Sequence, residues 1–202
     1  MRNNYEYLDP DYSYTDSKTG ILKNLGGITN YDDLVNFESI AVTKRRNELL
    51  KQSNKINDSD ALFAIHRHLF QDVYAWAGRK RTVEISKGGK QFFPIDHFEA
   101  ALIYIDNLVF EYKELNRHDV EQISKKLAEI LDMVNYLHPF REGNGRTQRE
   151  FIRILSLEKG FEIDLNPPDN PEIYERYMSG TINGDIPKLQ DLLLELMEKG
   201  LP

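Results

Sequence analysis

The sequence predicts an all-α, mainly helical fold: a compact bundle of about seven or eight helices carrying one short β-hairpin. Three observations lead there. Apolar residues recur at helical spacing in segment after segment, a two-residue alternation is convincing in one place only, and the connections between periodic segments are short.

Taken in order, residues 1 to about 31 are rich in Tyr, Asp, Asn and Gly without periodicity, and read as an extended arm whose tyrosines make contacts with the domain beneath. From Tyr31 to Lys51, Leu34, Phe37, Ile40 and Ala41 share a helical stripe, and Lys44, Arg45 and Arg46 read as a solvated helix end. A second helix follows Asp58 or Ser59 and carries Leu62, Ile65, Leu69, Val73 and Trp76 until Gly78 stops it. The period then changes. Arg81 to Ser86 alternates, Lys87-Gly-Gly-Lys90 turns, and Gln91-Phe-Phe-Pro94 returns, which is the hairpin; Arg79, Lys80 and Arg81 read as its solvated end, and Trp76, Phe92 and Phe93 as core.

Helices are expected next from Asp96 to Tyr112 and from Asn116 to Tyr136, the latter with Ile123, Leu127, Ile130, Leu131 and Val134 on a broad apolar face and ended by His138-Pro139. Another runs from Gly145 to Lys159, closed by Gly160, and two more span Pro171 to Ile182 and Ile186 to Glu198. No repeat, low-complexity tract or linker divides the chain, so residues 1–202 read as one domain, with residues 58–198 as its core.

Composition narrows the function classes. The 202 residues carry 26 Lys and Arg against 33 Asp and Glu, a net charge of -7, which argues against nucleic acid or an anionic membrane as a direct partner. With no cysteine, disulfides, thiolate metal sites and cysteine nucleophiles are excluded. The first residues lack the pattern of a secretion signal and no apolar run is long enough to span a bilayer, so a cytoplasmic location is expected, with export by a signal-independent machine left open.

Residues 138 to 149 read His-Pro-Phe-Arg-Glu-Gly-Asn-Gly-Arg-Thr-Gln-Arg and join two helices. Gly143 and Gly145 let backbone N–H groups turn inward where the following helix presents its positive end, which makes an anion cradle. Arg146 and Arg149, three apart, can clamp a polyphosphate from one helix face. Glu142 is an oxygen ligand suited to Mg2+, and His138 has the chemistry of a general base for an attacking hydroxyl. A base, a metal ligand, a cradle and two cations within one loop add up to phosphoryl or nucleotidyl transfer. His66, His68, His97 and His118 lack such neighbours and read as structural or surface groups; Pro139 and the glycines break the helix that a His138–Glu142 metal pair would need, so no zinc site is expected.

These twelve residues resemble the Fic-family signature, His-x-Phe-x-(Asp/Glu)-Gly-Asn-Gly-Arg-x-x-Arg, at every defined position, and the stretches Leu69 to Gly78 and Arg81 to Gly88 resemble the helix and the hairpin "flap" that precede the motif in bacterial members. The resemblance implies protein adenylyl transfer from ATP, with Mg2+, onto a Tyr, Thr or Ser hydroxyl of a target protein. His138 would take the hydroxyl proton; Glu142 would hold the metal; Gly143, Asn144, Gly145, Arg146 and Arg149 would bind the phosphates; Phe140 would plug the core beneath. Ile85, Ser86 and Lys87 would pair with an extended target segment, and Tyr174, with Tyr177 as second choice, would meet adenine; Asn183-Gly184-Asp185 resembles the family's helix-breaking turn. The pattern (Ser/Thr)-x-x-x-Glu-(Gly/Asn) of the family's inhibitory helix does not occur, so the resemblance implies inhibition either by a separate protein supplying the glutamate, as in toxin-antitoxin pairs, or by a degenerate helix. UMP or phosphocholine transfer, a Doc-like kinase (disfavoured by Gly145, where those kinases carry lysine) and a catalytically silent nucleotide-binding module are the alternatives.

Overall fold

The computed structural model describes residues 5–7, 9 and 11–199; the first four residues of the arm, Leu8, Pro10 and the last three residues of the chain lie outside it. Among the described residues seven helices form: α1 (Tyr31–Leu49), α2 (Asp60–Phe70), α3 (Phe98–Glu114), α4 (Val120–Leu137), α5 (Asn144–Glu158), α6 (Pro171–Asn183) and α7 (Ile186–Lys199). None is long and apolar enough to cross a membrane. Local chemistry sets several boundaries. The Asn30 side chain accepts the Asp33 N–H at the start of α1, Asp119 does the same for Gln122 at the start of α4, and Gly184 ends α6 in the left-handed conformation.

The bundle is organised around α4, which packs against α3, α5, α6 and α7, while α2 lies between α1 and α5. Its expected apolar face is the core: Ile123, Leu127, Ile130 and Leu131 are fully buried and Val134 nearly so. These join Phe140, Phe151, Leu192 and Leu193 in one cluster.

Two expectations fail in this scaffold. The second helix ends at Phe70, and residues 71–78 wind through turns, because the Val73 carbonyl accepts Leu25 N–H of the arm and Gly78 N–H folds back onto the His66 ring. The basic tail of α1 is no solvated end. Arg45 forks onto Asp72 at 2.7 Å, and Arg46 reaches buried Glu150 at 2.6 Å and Asp164 at 3.0 Å, tying α1 to the end of α2, to α5 and to the segment beyond α5.

The sheet has three strands among the described residues. The expected hairpin is present as β2 (Ile85–Lys87) and β3 (Lys90–Gln91), joined by Gly88 and Gly89 at φ 57 and 76. The third strand was not legible in the sequence: β1 (Tyr5–Tyr7) runs antiparallel to β2, with Tyr5 opposite Lys87, Glu6 opposite Ser86 and Tyr7 opposite Ile85. The arm continues from β1 to a clamp. Asp9 accepts hydrogen bonds from Ser13, Tyr14 and Thr15, and buried Tyr14 bonds the Thr82 backbone at 3.0 Å while meeting Trp76 edge-on.

Candidate active site

The loop between α4 and α5 is fixed from both ends. At its start His138 caps α4 at φ 45, a left-handed conformation that costs a residue with a Cβ about 1–2 kcal/mol. Arg81 holds it there. Its guanidinium, fully buried, donates to the His138 carbonyl at 2.9 Å, to Val83 and Phe93 carbonyls at 2.7 and 2.5 Å and to Glu84 at 3.1 Å, while Arg81 N–H donates to the Pro139 carbonyl at 2.7 Å. The sequence placed Arg81 at a solvated hairpin end. It is instead the peg that joins hairpin to loop, buried because five donors in one plane can satisfy several loop carbonyls at once.

In the middle of the loop the Asn144 side chain takes Phe140 N–H at 2.9 Å and gives to Phe140 C=O at 2.7 Å, closing a ring across the turn. That engagement leaves Asn144 only its main-chain N–H, at the open start of α5, for an anion. His66 supports the same turn from below. Its Nδ1 accepts Gly78 N–H at 2.8 Å, which puts the proton on Nε2, 3.0 Å from the Glu142 carbonyl. Burial drives the His66 pKa down to about 3, and its ring stacks on Phe140 at 3.8 Å. Its reading as a structural histidine holds, with Phe140 buried beneath the loop as expected. Gly143 has φ 86, and a Cβ there would lie 2.3 Å from Phe70 Cζ, so both conformation and space require glycine.

Above the loop is a cavity of about 780 Å³, a size that suits a nucleotide. His138, Glu142, Gly143, Gly145, Arg146 and Arg149 line one side; Lys87 and Phe92 of the hairpin and Tyr174, Tyr177 and Asn183 of α6 line others. The structure thus gathers His138, Glu142, the two glycines, both arginines, Tyr174 and Lys87 on one void. Ile85 and Ser86 lie outside its wall, and Ile85 is buried.

The imidazole of His138 is 4% exposed and lies flat against Phe92, with ring centroids 3.7 Å apart. The sequence assigned Phe92 to the core; it instead lines the cavity from the hairpin side, against the His138 ring. Nδ1 of His138 sits 3.2 Å from the Asn135 carbonyl, an acceptor only, so Nδ1 carries the proton and Nε2 the lone pair. Burial is the main cause that takes the His138 pKa down to about 3, with Arg81 and Lys87 adding to it against the Asn135 hydrogen bond. The ring is neutral at pH 7.

Both motif arginines have protein contacts that the sequence did not reveal. Arg146 is ion-paired with Glu38 of α1 at 2.6 Å, lies 3.5 Å from Glu142 and covers the Phe70 ring. Glu38 in turn accepts the Tyr74 hydroxyl. Glu38 sits on the buried face of α1, four residues after Leu34 and four before Val42, and nothing in the sequence names its partner. Arg149 lies over the rings of Tyr174 and Tyr177, centroids 5.5 and 5.8 Å away. Of the two tyrosines, Tyr177 is buried with its hydroxyl on Gln148, and Tyr174 is the more open.

For Mg2+ the donor set is sparse. Among the described residues no cluster of three or more carboxylates and imidazoles exists, but Mg2+ normally needs only one or two carboxylates beside the phosphates, and Glu142 on the cavity wall supplies one. The residues fit a metal that arrives with a nucleotide.

Fold and cavity together define a helical protein in which a glycine-bounded helix N-terminus and a neutral imidazole share one cavity under a hairpin. Residues 56–156 match the sequence profile of the Fic/DOC family, and the chain belongs to that family. It is similar to "Protein adenylyltransferase VbhT" of Bartonella schoenbuchensis, 37% identical over 169 residues that cover 83% of this chain and 35% of VbhT. It is also similar to "Probable protein adenylyltransferase y4lH" of Sinorhizobium fredii, 32% identical over 85% of this chain and 88% of that protein. The chain thus spans about a third of the length of VbhT and most of y4lH. Among solved structures, the type IV secretion system effector BepA superposes with a TM-score of 0.76 at 28% identity, over 92% of this chain and 68% of BepA. The AMPPNP-bound BepC protein of Bartonella tribocorum, at 20% identity, shares the fold with a TM-score of 0.76 over 92% of this chain and 96% of its own.

Proposed function

We propose that this chain, acting as one domain over residues 1–202, is a protein adenylyltransferase that moves AMP from ATP to a Tyr, Thr or Ser hydroxyl of a target protein and releases pyrophosphate. The observation that carries the reading is the opposition, across one cavity, of the His138 ring and the N-terminus of α5 with Arg146 and Arg149 behind it. Family membership and the names of VbhT and y4lH support it.

In this mechanism the N–H groups at Gly143, Asn144 and Gly145 bind phosphate oxygens, and Arg146 and Arg149 turn from Glu38 and the Tyr174–Tyr177 pair to the outer phosphates. Glu142 would hold Mg2+, which when bound neutralises phosphate charge. Tyr174 of α6, on the cavity wall, would flank the adenine. His138 Nε2 takes the proton of the attacking hydroxyl, and its Nδ1–H stays on Asn135, which keeps the ring in the useful tautomer. A polyphosphate beside the ring opposes the effect of burial and lifts the pKa of the base toward the working range. The stacked Phe92 must slide or the hairpin lift before a hydroxyl reaches Nε2, so target docking and exposure of the base are one event. Docking uses the hairpin edge at Ile85, Ser86 and Lys87, where main-chain hydrogen bonds align an extended segment. Regulation by a separate antitoxin-like protein, offering a glutamate to Arg149, follows from the same resemblance; the in-chain Glu38 pairs with Arg146 instead.

Incubation of the protein and a bacterial lysate with ATP labelled at the α or the γ phosphate, beside labelled UTP, tests the reading. Label entering protein from the α position of ATP is the expected result, and entry from the γ position or from UTP would replace AMP transfer by one of its alternatives.

A further inference from the structure

Where α4, the hairpin and the C-terminal half of α6 meet on the cavity wall, several polar groups are satisfied within the chain. Asn135 donates from Nδ2 to the Thr181 carbonyl at 3.0 Å, Thr181 Oγ1 donates to the Tyr177 carbonyl at 3.1 Å, and Lys90 of the hairpin reaches the Ile182 carbonyl at 3.1 Å. Asp132 is different. It lines the same wall, is half-buried, and has no hydrogen-bond or ion-pair partner among the described residues. Burial holds its pKa above the ordinary carboxylate value, with no donor or cation pulling it back. A carboxylate that gives up water without gaining a donor is a cost to the fold, and a ligand bringing an N–H or O–H to this point offsets it.

The position of Asp132 decides which part of a nucleotide it meets. It stands on α4 six residues before His138, which at roughly 1.5 Å per residue is about 9 Å along the helix. In the transfer proposed above, the α-phosphate lies at His138 and the outer phosphates at Arg146 and Arg149; the ribose comes next, and the base lies farthest out. A carboxylate beside the phosphates would repel them, whereas at that separation it faces the edge of the base. Asp132 Oδ1 lies 3.6 Å from the point where a Cβ on Gly184 would stand, so the glycine keeps that side of the carboxylate clear.

We propose that Asp132 is a specificity-determining residue that accepts a hydrogen bond from the 6-amino group of adenine, so that the cavity selects a nucleotide whose base carries an amino donor there. The inference rests on the adenylyl transfer proposed above and names its base contact. Tyr174 offers a flat face, on which every base can stack; Asp132 supplies the hydrogen bond that tells bases apart. Adenine presents a donor at this edge, whereas uracil sets a carbonyl oxygen against the carboxylate, which sorts ATP from UTP.

Calorimetry of the full chain with Mg2+ compares ATP with purine riboside triphosphate, the same molecule without the 6-amino group. ATP should bind at least about tenfold more tightly, the usual effect of one hydrogen bond to a charged group. Asp132→Leu should bring the two to near equality, and Asp132→Asn, whose amide oxygen still accepts, should keep most of the preference. Asp132→Leu should also unfold at no lower urea concentration than wild type, because no protein contact of the carboxylate is lost. Equal affinity of the wild-type chain for the two triphosphates overturns the inference, whatever the variants do. So does a preference that survives in Asp132→Leu, a lowered urea midpoint in that variant, or a penalty on 2′-deoxy-ATP that it abolishes, which would assign Asp132 to the ribose. Each of these, with AMP transfer intact, leaves the transfer reading standing; a wild-type chain that binds neither triphosphate overturns both.

Discussion

The loop from His138 to Arg149 and the hairpin above it face the same cavity but are held by different means. In the loop, polar groups are closed on one another: Asn144 on Phe140, Thr147 on Gly143, His66 on Glu142, Arg81 on His138. Gly143 is backed by Phe70 with no space for a Cβ, and the segment is buried on the whole. The hairpin pairs only two residues across its turn, β3 is exposed, and Gly88 and Gly89 stand in open space. The contrast teaches that the loop proposed to handle the nucleotide is preorganised, whereas the hairpin proposed to receive a protein chain is lightly held.

Four measurements break or sharpen that contrast. The largest effect belongs to the base. His138→Ala should lower transfer by about 10²–10⁴-fold, the usual range for a lost general base, while ATP affinity by calorimetry stays near wild type; undiminished transfer would remove His138 from the chemistry.

Acid comes next. His66 and His138 have pKa values of about 3 in the folded chain against an ordinary 6.5, so the unfolded chain binds more protons between those limits. Stability is therefore full above about pH 6.5 and falls as pH drops toward 3, by up to about 2 kcal/mol per histidine at pH 5. Urea midpoints at pH 7 and pH 5 measure it, and a flat profile would mean that the loop opens its histidines to water.

Arg81→Met tests the joint between the two regions. It strands the carbonyls of His138, Val83 and Phe93 and should cost on the order of 3 kcal/mol in urea unfolding. Arg81→Lys should recover only part of this, because an ammonium cannot reproduce the planar fork.

The smallest effect is a paired comparison of glycines, both at positive φ. Gly88→Ala should cost about 1 kcal/mol, the conformational penalty alone, since nothing lies near its Cβ. Gly143→Ala adds the collision with Phe70 and should cost about 1–3 kcal/mol more, and equal losses at the two sites would show that the loop yields as readily as the hairpin.

Much of this was legible in order along the chain. Helical periodicity placed six of the seven helices to within a few residues at each end, and the Gly-Gly turn placed the hairpin. The composition of residues 138–149 marked the loop that the structure brings to the cavity wall, because glycines and cations at fixed short spacing suit anion binding at a helix start. Arg81, Glu38 and Phe92 were not legible: each acts on a partner 57, 108 and 46 residues away, respectively, and each has the local pattern of an ordinary surface or core residue. The strand β1 was missed for a related reason, since three residues carry too little alternation to distinguish a strand from an arm.

The sequence by itself determined the bundle, the hairpin and the chemical inventory of the loop, because periodicity and turn chemistry act between near neighbours. Only the tertiary structure decided that Arg81 locks the hairpin to the His138 carbonyl, that Glu38 pairs with Arg146 beside the cavity, and that β1 pairs with the hairpin strand β2. Those contacts depend on which distant backbone and side-chain groups burial brings within hydrogen-bond reach, and no local pattern encodes that distance.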